Sequence, residues 1–211
     1  MKKLLLFTMM LAVASVFTAC EDTDAKLAEK LKGSWKGTTL INDEEYPMAY
    51  QFFESTDGKT GKFVEMTSDK YLEEIDGEEY VLPYVVYVGG QYKIDEGWLS
   101  LTYSPETTII EIYEDALNDF AEAYLAYDRA KEEPSMGDAT VEEVAELYKE
   151  YIFDEDNDNW TEMYEKLNDN KADGFSNLTI NEGKMSYKTG DAGRLEFEST
   201  DEIFKQYPFD E

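Results

Sequence analysis

The chain contains no histidine and only one cysteine, Cys20. The lack of histidine removes the usual general base of enzymes, the Ser-His and Cys-His nucleophile systems, and the commonest zinc ligand. A single cysteine cannot form a disulfide within the chain, so packing has to stabilise the fold. Any catalysis would have to rest on carboxylates, tyrosine or lysine. We therefore expect a protein that is not an enzyme.

Basic residues are scarce as well, since 19 Lys and Arg face 48 Asp and Glu, for a formal net charge of −29. A surface this negative repels nucleic acid and anionic headgroups, and it attracts cations and basic proteins. The simplest effect of the charge is solubility. Hydrophobic residues still make up 42% of the chain and aromatic residues 14%. This composition predicts a globular domain and no nucleic-acid partner.

The sequence also lacks an apolar run of the roughly 20 residues that a bilayer-spanning helix needs. The longest such run, Leu4–Phe17, follows Lys2-Lys3 and leads into the small residues Thr18-Ala19. A positive start, a short apolar stretch and small residues before a cleavage point predict a secretory signal peptide over residues 1–19.

Small residues directly before the lone Cys20 resemble the lipobox of bacterial lipoproteins, although Phe17 stands where that family usually has Leu. The resemblance implies that the signal peptide is removed and that Cys20 becomes the acylated N-terminus, anchored stably by several acyl chains. The acidic stretch after Cys20 resembles the surface-export signal of Bacteroidota lipoproteins. We expect a lipid-anchored protein of the bacterial cell envelope, at the outer membrane or cell surface, with residues 20–30 as an acidic tether. The alternative is an ordinary signal peptide with an incidental cysteine.

From residue 31 onward, segments rich in β-branched and aromatic residues predict strands. The dipeptides Asp76-Gly77, Gly89-Gly90 and Glu96-Gly97 are typical of turns between them. Apolar and polar residues alternate in Trp98–Tyr103, whereas Tyr80–Val88 is apolar on both faces and should be covered on both. The predicted strands are 34–42, 48–55, 62–68, 80–88, 91–94, 98–103, 107–113, 176–181, 184–188 and 194–199.

Between about residues 113 and 170 the apolar period changes from 2 to 3.6, which indicates helices. Thr140 and Glu143 form a capping box at the start of a second helix, and a short third helix is predicted around Trp160–Leu167. Strands, then helices, then strands at short spacing predict a mainly β fold with α: one antiparallel barrel carrying a helical insertion.

Gly33-x-Trp35 at the start of the first strand, followed by an antiparallel meander, resembles the calycin superfamily. The likeness is greatest to the lipocalin-like domains of Bacteroidota lipoproteins, and it covers residues 31–112 and 174–199. It implies that residues 31–211 form a lipocalin-like β-barrel that carries the insertion at about 113–170.

The same resemblance implies that Trp35 plugs the closed end of the barrel and that Arg194 packs over it. Strand parity favours instead an Arg194 that faces solvent, because Leu195 and Phe197 occupy the inward face. The resemblance further implies a barrel that binds a small apolar ligand, or one too tightly filled to bind anything.

The predicted insertion contains a pattern of five carboxylates that is typical of a calcium-binding loop. They fall at positions one, three, five, nine and twelve of an EF-hand-like loop between two helices. Asn159 replaces the usual Gly, Thr161 replaces an aliphatic residue, and there is no second hand. The alternative is a solvated acidic loop. The candidate Ca²⁺ ligands are Asp154, Asp156, Asp158, Glu162 and Glu165.

These observations predict a lipid-anchored, non-catalytic binding or structural module, with a small apolar ligand or a basic protein as its partner. One alternative is a calcium-dependent interaction or adhesion protein that uses the insertion as its interface. Another is a glycan hydrolase, which would need two carboxyls about 5–10 Å apart in a cleft. An open apolar cavity would favour ligand binding, whereas a filled interior would favour interaction through the insertion.

Overall fold

A computed structural model of the chain describes residues 23–41, 44–169, 176–189 and 193–201. These residues form one antiparallel sheet of eight strands and three helices, with the strand order β5-β4-β3-β2-β1-β8-β7-β6. The helices are α1 (Thr23–Leu31), α2 (Glu114–Arg129) and α3 (Val141–Asp169), and the strands are β1 (Gly33–Ile41), β2 (Glu44–Phe52), β3 (Thr60–Ile75), β4 (Glu78–Asp95), β5 (Trp98–Ile112), β6 (Ser176–Asn181), β7 (Lys184–Thr189) and β8 (Gly193–Thr200).

Strands that follow one another along the chain are paired, and β1 also pairs with β8, with Trp35 opposite Ser199. The exception is β5 and β6, which lie at the two edges of the sheet. They approach each other where the Leu178 amide donates a hydrogen bond to the Gly97 carbonyl (3.3 Å). The prediction of a mainly β fold with α is confirmed, but strand pairing does not close the sheet into the predicted barrel. The helical connection is inserted between these two strands.

Two-residue turns set the register of the hairpins. Both residues of Asp76-Gly77, Glu96-Gly97 and Glu182-Gly183 have positive φ, which the right-handed twist of the flanking strands favours. The prediction of a turn at Gly89-Gly90 is wrong, because β4 runs unbroken through this dipeptide. A Cβ on Gly90 would lie 2.4 Å from the Thr102 carbonyl oxygen, so this glycine permits close packing inside the sheet.

The helices differ from the sequence-based expectations in two places. Residues 23–30, predicted as part of a tether, belong to α1, whose Ala28 and Leu31 are buried. The capping box is confirmed, with hydrogen bonds from the Thr140 amide to the Glu143 carboxylate (2.8 Å) and from the Glu143 amide to the Thr140 hydroxyl (3.2 Å). The helix that follows, however, is a single one of 29 residues, where two were predicted. None of the helices in the described part of the chain is long and apolar enough to cross a membrane.

We call the face of the sheet that carries Trp35, Glu65 and Tyr103 the inner face. Both helices of the insertion pack on it, since Phe120 of α2 contacts Tyr80 and Tyr164 of α3 contacts Tyr103, with ring centroids 5.9 and 4.9 Å apart. The expectation that Tyr80–Val88 is covered on both faces is therefore only partly met. Val81 on the outer face is 46% exposed, because both insertion helices lie on the other side.

Candidate functional site

The most unusual group on the inner face is Glu65, a carboxylate on β3 that is only 3% exposed. Side chains alternate along a strand, so Glu65 points inward together with Phe63 and Thr67. The strand register places it between Tyr50 of β2 and Val88 of β4. A carboxylate in such a position requires hydrogen-bond partners, because burying a charge without them is costly.

Hydroxyl groups from several elements supply those partners. The Tyr103 hydroxyl donates to Glu65 Oε2 (2.7 Å), and the Tyr164 hydroxyl donates to Oε1 (3.4 Å). Tyr50 and Thr67 also hydrogen-bond to the carboxylate, and Tyr187 donates to the Tyr50 hydroxyl (3.2 Å). The network thus joins β2, β3, β5, β7 and α3. We call the set the Glu65 network: Glu65, Tyr50, Thr67, Tyr103, Tyr164 and Tyr187.

The protonation of this network follows from its burial. Burial raises the pKa of Glu65, and the four hydroxyl hydrogen bonds oppose that rise without cancelling it. The pKa values of Tyr103 and Tyr164 are raised well above the usual range for tyrosine. Burial is the largest cause, and the negative charge of Glu65 is the second. These phenols therefore stay protonated and act as donors. Within the network, only the Glu65 carboxyl can change its protonation in the acid-to-neutral range.

The Glu65 network has no contact with the main surface clefts. Three clefts of about 750, 880 and 990 Å³ lie in the described part of the chain, and no member of the network lines any of them. Aromatic rings fill the space around the carboxylate instead: Phe63 packs on Tyr103 (5.4 Å between centroids), and Tyr187 packs on Phe197 (5.5 Å). The arrangement can hold a proton and join elements, but it offers a substrate no place next to Glu65.

The end of α3 occupies the free edge of β5. The Tyr103 amide donates to Asn168 Oδ1, and Asn168 Nδ2 donates to the Tyr103 carbonyl, both at 2.8 Å. These two bonds replace those that a neighbouring strand would make. Tyr164, one turn earlier on α3, inserts into the Glu65 network. The helical insertion therefore fills part of the gap that β5 and β6 leave.

Trp35 and Arg194, two residues of the predicted barrel motif, lie at different levels of the sheet. Trp35 is 4% exposed, and its Nε1–H donates to the Leu31 carbonyl (2.7 Å). Its partner on β8 is Ser199, whereas Arg194 is paired with Lys188 at the far end of that strand. Five residues of strand correspond to about 16 Å. The register therefore does not bring Arg194 to Trp35, and the Arg194 side chain lies outside the described residues.

The backbone of the predicted calcium loop is helical throughout residues 154–165, so the expected loop between two helices is absent from this stretch. The side chains of Asp154 and Asp156 lie outside the described residues. Asp158, Glu162 and Glu165 are exposed, and Glu162 forms an ion pair with Lys166 (3.0 Å). Where side chains are described, no group of three or more potential ligands gathers. Calcium binding stays a prediction, and Cys20 also lies outside the described residues.

Sequence reasoning missed the Glu65 network. The signal was present in the predicted strand 62–68, where Glu65 has the same parity as Phe63 and Thr67. A carboxylate in an inward-facing series indicates a buried polar site. Its tyrosine partners could not be identified, because they come from four other elements.

A scan against protein-family models finds no match to this chain, and a search of curated proteins finds none either.

Proposed function

We propose that this chain is a lipid-anchored, exported protein of the bacterial envelope that acts as a non-catalytic binding or structural module through its surface. The observation that carries the proposal is the filled inner face. Glu65 and its tyrosine partners, with the rings around them, occupy the space that a ligand-binding barrel would leave open. A small apolar ligand would have to displace buried side chains that are already hydrogen-bonded.

A lipocalin-like relationship is part of the same proposal. The chain forms an up-and-down meander of eight strands in which the first pairs with the last. Trp35 is buried at the start of β1, where the resemblance expects a plug. The gap between β5 and β6 is where the insertion joins the sheet, and Asn168 and Tyr164 occupy part of it. Together these features support a lipocalin-like meander that is completed by helix rather than by strand pairing.

The helical insertion is the part of the surface that we propose for interaction. Residues 113–169 contain 19 Asp and Glu but only four Lys and Arg, a net charge of −15. Large apolar side chains are exposed within this acidic surface: Leu147 is 52% exposed, and Tyr151, one turn later on α3, is 62% exposed. Apolar side chains with a polar rim are typical of protein interfaces. A basic protein surface is the complementary partner.

The anchoring part of the proposal is tested by Cys20→Ala. The variant should leave the membrane fraction and appear as a soluble, unacylated form, while the unaltered chain carries acyl mass on its N-terminal cysteine. Unchanged membrane partition with no acyl mass on the unaltered chain would contradict lipidation.

The filled interior is tested by titration with a small apolar fluorophore. The unaltered chain should show no saturable binding at one site. Phe63→Ala is the positive control, because Phe63 is fully buried at the centre of the ring cluster, and its removal opens an apolar cavity. Saturable one-to-one binding to the unaltered chain, competed by a fatty acid, would replace the proposal with an internal ligand site.

A further inference from the structure

The antiparallel topology gives the sheet two distinct ends. The connections β2–β3, β4–β5 and β6–β7 lie at the same end as α1. The connections β1–β2, β3–β4 and β7–β8 lie at the other end, where α2 and the first half of α3 pack beside the Asp76-Gly77 hairpin. We call these the α1 end and the insertion end.

Helix α1 is fixed to the sheet from its second residue. The Asp24 carboxylate accepts hydrogen bonds from the amides of Gly97 (2.9 Å) and Glu96 (3.0 Å) in the β4–β5 turn. Lys59 on the β2–β3 connection lies 3.4 Å from the same carboxylate. The hydrogen bond from Gly97 is the main cause that lowers the pKa of Asp24. Helix α1 is therefore held against the sheet from Asp24 onward, and no tether separates α1 from the sheet.

This attachment limits how far the domain can lie from a lipid on Cys20. Asp24 follows Cys20 by four residues, which span at most about 14 Å when fully extended. The turn that Asp24 holds must stay within a similar distance of the anchor. The Asp76-Gly77 turn lies at the opposite end of β4, a strand of 18 residues or about 55 Å.

The two ends of the sheet also differ in net charge. At the α1 end, residues 23–36, 53–62, 91–98, 181–184 and 198–201 contain eight Lys and nine Asp and Glu, a net charge of −1. At the insertion end, residues 114–150 contain three Lys and Arg and 12 Asp and Glu, a net charge of −9. An anionic lipid surface therefore repels the insertion end much more strongly than the α1 end.

The α1 end also carries an exposed aromatic residue. Trp98, the first residue of β5, is 49% exposed. It follows the Glu96-Gly97 turn directly, so it lies beside the attachment point of α1. Tryptophan is enriched where proteins meet lipid headgroups, because its ring is apolar and its N–H is polar.

From these observations we propose that the α1 end faces the lipid surface, with Trp98 at headgroup level, and that the insertion end projects away from it. The proposal rests on the proposed lipidation of Cys20. It specifies the orientation in which the acidic insertion is presented, and it identifies the lipid surface as the partner of the α1 end.

Energy transfer from two positions on one strand tests this orientation. The full chain, as processed by a bacterium that exports it, is reconstituted in vesicles of phosphatidylethanolamine and phosphatidylglycerol with an acceptor dye on the headgroups. Donor dyes are placed at Asp95→Cys and Glu79→Cys. Both positions are exposed carboxylates of β4, one at each end of the strand, so the two variants are matched in charge and exposure. Transfer should be several-fold stronger from position 95 than from position 79.

A spacer variant serves as the control. A flexible Gly/Ser linker of about 20 residues between Asp22 and Thr23 keeps the anchor but frees the domain, so it should reduce the difference between the two positions. Quenching of tryptophan fluorescence by brominated lipids gives a second measurement. Trp98→Phe should abolish this quenching, whereas Trp160→Phe should leave it unchanged.

The outcomes separate this proposal from the proposed lipidation. If the chain does not partition with the vesicles at all, lipidation fails and the orientation fails with it. If the chain partitions but positions 79 and 95 transfer equally, lipidation stands and the orientation is overturned. Stronger transfer from position 95 that is lost on insertion of the spacer supports the orientation.

Discussion

Replacing Glu65 with glutamine should remove part of the loss of stability that the protein suffers as pH rises. The Glu65 carboxyl is 3% exposed, and burial raises its pKa in the folded state. Glutamine has nearly the same shape, and its carbonyl oxygen can still accept the hydrogen bond that Tyr103 donates at 2.7 Å. The substitution therefore removes the charge while it keeps the packing.

The sign follows from proton linkage. Because the pKa of Glu65 is higher in the folded state, the folded chain holds a proton that the unfolded chain releases at about pH 4.3. The stability contributed by Glu65 is complete below that pH and is lost as the pH rises through the folded-state pKa. Within this window the free energy of unfolding falls by about 1.4 kcal/mol per pH unit. The Glu65→Gln variant lacks this slope.

Urea melts at a series of pH values from about 4 to 8, at constant ionic strength, measure the effect as a change of stability. The free energy of unfolding of Glu65→Gln minus that of the unaltered chain should rise with pH by about 1.4 kcal/mol per unit and then level off. Glu74→Gln is the matched control, because Glu74 is an exposed carboxylate of the same strand. It removes the same formal charge, so it reports only the relief of general repulsion.

A difference that does not change with pH, or one that Glu74→Gln reproduces, would refute the argument that burial controls Glu65. A readout independent of folding is the infrared band of a protonated carboxyl in the folded chain. That band should persist above pH 4.3 in the unaltered protein and weaken in Glu65→Gln.

Trp35→Ala should lower the free energy of unfolding in urea by about 3–5 kcal/mol, because it empties a buried site. Trp98 is half-exposed, so a loss no larger than that of Trp98→Ala would contradict a core position for Trp35. Asn168→Ala removes two hydrogen bonds to the Tyr103 backbone, so it should cost about 1–3 kcal/mol and speed hydrogen exchange at that amide. Unchanged exchange there would show that the edge of β5 does not need the amide. Calcium should raise the melting temperature more than magnesium at equal ionic strength, and Glu165→Gln should reduce the difference; equal rises would reject the calcium prediction.

The sequence by itself determined those features whose causes lie within a few residues. The turns at Asp76-Gly77 and Glu96-Gly97 could be predicted because positive φ is favourable for glycine, and two-residue hairpins require it. The capping box at Thr140 and Glu143 could be predicted because both partners lie within one helical turn. The overall assignment to a mainly β fold with α followed from the same local periods.

Features that depend on distant partners could not be predicted in this way. Gly90 belongs to a pair that is typical of a turn, yet it lies inside β4, because the ring of Phe63 and the carbonyl of Thr102 leave no room for a side chain there. Residues 23–30 have the composition of a tether, but Asp24 meets its two amide donors 72 and 73 residues further along the chain.

The candidate site and the gap between β5 and β6 were decided by the tertiary structure alone. Glu65 is an ordinary carboxylate in the sequence, and only the packing of β2, β5, β7 and α3 around it supplies four tyrosines and buries it. The sheet stays open between β5 and β6, and at Tyr103 the side chain of Asn168, 65 residues further along the chain, takes the hydrogen bonds that a paired strand would make. Local propensity specifies turns and helix starts within a few residues, whereas burial and edge pairing arise only when distant segments meet.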